Sequence, residues 1–233
     1  MGRARDISKV FSTNTALATD SEISAFNYLT QASASTVYQT KSATGLILLT
    51  PTSITATGGS GSIGTNGTVS FTSTSSISLN TIFNSSYNNY RILVDITSNS
   101  ANDGWHFLKL RSGTTDASTT YYYAFWARTH AGFDVSQQGN NVSSFKVGQM
   151  DNSATGYQGY FIDLIDPFTA NKTKMGHYGS AITDSSVVQG FAGGGVHDVS
   201  SSYDGFSLIS ENGNITGSIS VYGYNKWSGI KEI

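Results

Sequence analysis

The chain contains no cysteine, which excludes disulfides and thiolate metal sites. Charge is scarce as well. Only 12% of its 233 residues are Asp, Glu, Lys or Arg, about half the usual share. The net charge of −2 provides no long-range field to draw nucleic acid or an anionic membrane to the surface. Glutamate occurs only at Glu22, Glu211 and Glu232 and proline only at Pro51 and Pro167, so strong helix formers and breakers are both few. The longest apolar run, Gly45–Leu49, is far short of the ~20 residues of a membrane-spanning helix. The start, MGRARDISKVFS, is basic but lacks the apolar stretch of a secretory signal. Asp6 stands where a myristoylation signal needs Ser or Thr. No GxSxG, HExxH or phosphate-loop motif is present.

What the chain does have is Ser, Thr, Asn and 25 Gly, interleaved with 13 Tyr and 12 Phe. That is the composition of many short strands joined by tight turns. Residues 1–44 show no strong alternation. They carry a small basic cluster, Arg3, Arg5 and Lys9, and a segment near 20–29 that can form a helical turn or two with Ile23, Phe26 and Leu29 or Tyr28 on one face. Alternation sets in after Thr44. Gly45–Thr50 reads as a strand stopped by Pro51, with Ser53–Thr57 following the kink. Residues 57–67 read as a glycine-rich turn region, and residues 79–87 as the site of a helical turn. Tyr90–Ile96 is the clearest strand, with Ile92, Val94 and Ile96 on one face. Further strands are expected at 105–111, 119–128, 142–147, 156–165, 174–182, 187–191, 205–209 and 215–224. The expected fold is therefore all-β: an antiparallel, jelly-roll-like β-sandwich over residues 45–233, preceded by an extended, partly helical arm over residues 1–44.

Candidate chemistry is thin. His106 alternates with core positions and reads as structural. His197-Asp198 follows Gly193-Gly194-Gly195 in what reads as a loop. Asp163 and Asp166 are the one carboxylate pair at a spacing that glycoside chemistry could use, although Asp166-Pro167 also reads as a strand stop. Asp151–Gly156 has the oxygen-rich look of a calcium loop but lacks its terminal acid. No catalytic residue, cofactor or metal is assigned. The aromatic strand is more informative. Tyr121, Tyr123 and Phe125 share one face, and Tyr122 and Trp126 the other. One face must be core, and the other suits a subunit interface or a platform for stacking sugars. Tyr121, Tyr122, Tyr123, Trp126 and, beyond the last strand, Trp227 are the candidate surface residues.

Several stretches together carry a resemblance. They are the N-terminal Gly2-Arg-Ala-Arg-Asp-Ile-Ser-Lys-Val10, Gly45-Leu-Ile-Leu-Leu-Thr-Pro-Thr-Ser53, the turn-to-strand element Phe83–Ile92, Leu108–Gly113, and the closing Gly217–Tyr224. In these the chain resembles small tail-fibre or appendage proteins of marine and cyanobacterial tailed phages. The resemblance implies a virion structural protein that does no chemistry and carries no cofactor. It also implies a homo-oligomer, a trimer favoured, attached to other virion proteins by its N-terminus. Arg3, Arg5, Ile7, Val10 and Phe11 would then be the docking residues, with the sandwich facing outward toward host surface glycans. Neither nucleic acid nor membrane insertion is expected. A capsid decoration or cement protein and a carbohydrate-binding module or glycan depolymerase are the rival readings.

Overall fold

The structure is a computed structural model, and it describes residues 45–101, 104–132, 134–150, 158–182 and 187–225. These residues form sixteen strands and no helix. In chain order they are β1 (Leu46–Leu49), β2 (Ser53–Thr57), β3 (Ser60–Ile63), β4 (Val69–Thr74), β5 (Ser76–Asn80), β6 (Tyr87–Asn99), β7 (Gly104–Ser112), β8 (Thr115–Asp116), β9 (Tyr121–Thr129), β10 (Asp134–Val142), β11 (Phe145–Met150), β12 (Gln158–Ile165), β13 (Thr173–Ile182), β14 (Val188–His197), β15 (Gly205–Ser210) and β16 (Ile215–Asn225). The residues of the expected arm, the 151–157 segment and Trp227 lie outside the described residues.

All pairings are antiparallel, and the strands form two sheets. The larger runs β10-β9-β14-β13-β12-β6-β16-β4-β3, with β1 sharing the β4 side of β16. The smaller runs β11-β7-β15-β5-β2, with β8 on β7. The chain changes sheets in matched pairs. The order β6-β16-β4 in one sheet mirrors β7-β15-β5 in the other.

Side-chain alternation explains this layering. In β6, Tyr90, Ile92, Val94 and Ile96 are buried. Ile92 lies opposite Ile162 of β12 and Val221 of β16, and Val94 lies opposite Tyr160 and Ile219. The smaller sheet contributes Ile77, Leu79, Leu108, Leu110, Phe206 and Leu208 to the same core. Each such side chain contributes about 1.5–3 kcal/mol on leaving water. The other face of the smaller sheet is polar at its centre. There Arg111 donates to Asn80, Asp116, Ser78 and Ser207.

Four local expectations are corrected. Residues 57–67 are not all turn: β3 lies between the turns at Gly58 and Gly67, both with φ near +87° (+86° and +88°). Residues 79–87 form no helical turn, because the Ile82 and Phe83 N–H groups both donate to the Asp204 carbonyl and bury those two side chains. Asp134–Val142, too polar to read as a strand, is the edge strand β10. The Gly193–Gly195 run is not a loop but the middle of β14, and His197 is the last residue of that strand.

Candidate binding surface on the larger sheet

The aromatic strand β9 shows how the surface arises. Tyr121, Phe125 and Ala127 point inward and are buried. The Tyr121 hydroxyl accepts the Leu110 N–H at 2.8 Å and donates to the Ala117 carbonyl at 3.3 Å. Tyr123 is on the same inner side, half-buried, with its ring lying where a Cβ on Gly139 would be. Tyr121 is therefore core, correcting its assignment as a surface candidate, and Tyr123 faces inward with it. Tyr122 and Trp126 alternate outward and are 36% and 48% exposed.

Antiparallel register then aligns outward side chains from neighbouring strands. Trp126 lies opposite Ala192 of β14, and Ala192 opposite Tyr178 of β13. Tyr178 lies opposite Phe161 of β12, and Phe161 opposite Leu93 of β6. The Phe161 and Tyr178 rings stack at 4.9 Å and 26°. A parallel row passes from Tyr122 through Val196 and Lys174 to Ile165. Leu46, Tyr122, Trp126, Phe161, Ile165, Tyr178 and Val188 are the exposed large hydrophobic side chains among the described residues. All seven stand on this outer face. Sequence reasoning found Tyr122 and Trp126 but missed Phe161 and Tyr178. Both alternate with core residues in strands read correctly, so the signal was present, but their pairing depends on long-range register.

A charged cluster anchors the centre of the face. Arg91 of β6 binds Asp163 of β12 through two bonds, Nε–Oδ1 at 2.8 Å and Nη2–Oδ2 at 2.6 Å, and the Tyr224 hydroxyl donates to Oδ1 at 2.9 Å. Partial burial pushes the Asp163 carboxyl up. The bonds from Arg91 and Tyr224 and the Arg91 charge more than offset this and hold it below the usual range. The Asp163 bond in turn raises the Arg91 pKa. Asp163 is thus engaged by Arg91 and Tyr224, while Asp166, just past the strand end with φ of +59°, lies 3.7 Å from the Lys174 ammonium.

Three of the four histidines are internal, and His130, just past β9, is exposed. His106 is buried, its Nδ1 3.1 Å from the Tyr160 hydroxyl, and desolvation pushes its pKa down to about 3. His177 stacks on Phe125 at 5.5 Å and is pushed down to about 4 by the same cause. Buried His197 lies 3.1 Å from the Thr119 carbonyl through Nε2 and 3.3 Å from the Tyr203 hydroxyl through Nδ1. Among the described residues no three His, Asp or Glu side chains gather as a metal-ligand set.

Trp126 borders two shallow hollows. One, of about 550 Å³, is lined by Ala124 beside Trp126 on β9, by Ala192 of β14 on one side and by Ser136 and Gln138 of β10 on the other. The other, of about 410 Å³, is bordered by Arg128, His130, Val188 and Gly190. No known protein-family model matches the chain, and neither a curated protein nor a solved structure matches it.

Proposed function

We propose that this chain is a non-catalytic structural protein of a phage virion, a tail- or neck-fibre-like appendage. It docks through residues 1–44 and works through the outer face of its larger sheet as a host-adhesion surface. The single observation that carries the contact-surface reading is the gathering of all seven exposed large hydrophobic residues on that face. The virion setting rests on the sequence resemblance. The matched crossing of strand pairs between the sheets supports a jelly-roll reading of the sandwich, and the partly helical character proposed for the arm rests on the sequence alone. Self-association as a trimer belongs to the same proposal.

The outward glycines support the contact reading. A Cβ added at Gly159, Gly176 or Gly190 would meet nothing within 4 Å, so the fold itself does not require glycine there. Glycine weakens a strand and is often found where another surface approaches closely. Imaging of purified particles tests the proposal, with antibody against this chain marking its position. Label at the tail or neck is the expected result, and label across the capsid lattice favours a cement role instead. Deleting residues 1–44 is expected to abolish incorporation while the remaining domain stays folded. Undiminished incorporation would remove the arm's docking role.

A further inference from the structure

The outer face is not uniform. Phe161 and Tyr178 stack on each other, with Phe161 beside a hollow of about 420 Å³ that Asp95 also lines, while Trp126 stands beside a polar-rimmed hollow without a charged side chain at the β10 edge. Register fixes the rim. Ser136 lies directly opposite Trp126, and Gln138 directly opposite Ala124. One hydroxyl and one carboxamide therefore stand on the β10 side, the indole and the Ala124 methyl on β9 itself, and the Ala192 methyl on the β14 side. Arg128, the nearest charge on β9, lies one outward position along the strand, 3.6 Å from Asp134.

This lining selects a ligand by chemistry. The negative face of an indole attracts the weakly positive C–H face of a saturated ring. A carboxamide and a hydroxyl supply both donors and acceptors at short range, which suits a ligand dense in hydroxyl groups. No side chain lining the hollow ionises, so nothing there offsets the cost of desolvating a charged ligand.

We propose that the hollow lined by Ala124, Trp126, Ser136, Gln138 and Ala192 is a subsite for one neutral hexopyranose unit of a host surface polysaccharide. The indole stacks on the ring and Gln138 and Ser136 bind its hydroxyl groups. The proposal rests on the outer face being the contact surface, and it names the ligand class for one part of it.

The test uses the full chain on an array of neutral and anionic bacterial polysaccharides, followed by titration calorimetry with the neutral polysaccharide that binds. Binding to neutral glycans is expected, with Trp126→Ala weakening it about tenfold or more and Gln138→Ala severalfold. Trp126→Phe is expected to recover part of the loss. An unchanged melting temperature verifies that each variant is folded. Silence across the array, binding only to anionic glycans, or binding unaffected by both alanine variants overturns the proposal. So does a change in molar mass by light scattering on Trp126→Ala, which would make Trp126 an interface residue. Particles carrying Phe161→Ser and Tyr178→Ser separate the two levels of the argument. Lost adsorption with a silent array removes the sugar subsite alone, whereas undiminished adsorption removes the contact surface as well.

Discussion

Within the core, the Tyr121 hydroxyl satisfies the buried Leu110 N–H, and its ring packs edge-to-face with Phe145 at 4.7 Å. Tyr121→Phe keeps the packing but strands that donor, and is expected to cost about 1–3 kcal/mol in urea unfolding. A change near zero would show that the N–H finds another partner. Histidine gives a second prediction at this scale. His106 and His177 are neutral when folded, with pKa values near 3 and 4, against about 6.5 when unfolded. Between pH 6.5 and about 4 the unfolded chain binds up to two more protons at these sites than the folded one. Stability therefore falls as pH drops through that window, by up to ~1.4 kcal/mol per pH unit for each histidine. Asp163, held below its usual range, adds to the loss at lower pH. Both ring nitrogens of His177 are buried without a hydrogen-bond partner. His177→Phe is thus expected to reduce the slope without loss of stability at pH 7, as measured by urea midpoints at pH 7.5, 5.5 and 4.5. A flat profile in the unmodified chain would contradict the assignment. The sequence placed His106 correctly because it alternates with Leu108 and Leu110. His177 alternates with Met175 in the same way, but its ring partners Phe125 and Phe191 come from other strands.

Strand β14 shows why some elements were legible and others were not. In β6 and β9, alternation of large apolar and polar residues marks both the strand and its two faces. In β14 the alternation is hidden, because the inward positions 193 and 195 are glycines. A Cβ at Gly193 would lie 2.5 Å from His177 Cε1, and one at Gly195 would lie 2.8 Å from Phe145 Cε1 and 2.5 Å from the Tyr122 carbonyl. The core there is filled by rings from neighbouring strands, so the Gly193–His197 half of β14 resembles a loop although 187–191 reads as a strand. Strand β10 was hidden for the opposite reason. As an edge strand with polar outward residues, it has little apolar signal of its own. These packing differences predict opposite mutational outcomes within one sheet. Gly195→Ala is expected to destabilise by about 1–3 kcal/mol through overpacking. Gly190→Thr and Gly176→Thr, pointing into open space, are expected to leave stability unchanged or raise it by up to about 1 kcal/mol. Thermal melts of the three variants check the contrast, and equal destabilisation by all three would contradict it.

At the scale of the whole molecule, the two sheets share a core but have different outer faces. The smaller sheet centres its outer face on the Arg111 network, and the larger gathers the exposed Trp, Tyr and Phe side chains on its own. That asymmetry needs no support from internal stability, since the rings concerned are substantially in water and contribute little to the fold. Replacing Phe161 and Tyr178 together by Ser is accordingly expected to shift the melting temperature by no more than a few degrees. The proposed adhesion role of the larger sheet's outer face in a phage virion is tested most directly by adsorption of particles to host cells, measured with this double variant and with the unmodified chain at equal incorporation. A fall of about tenfold or more, with the protein still folded, is the predicted result. Equal adsorption by the two particles would contradict the claim that the outer face of the larger sheet is the working surface.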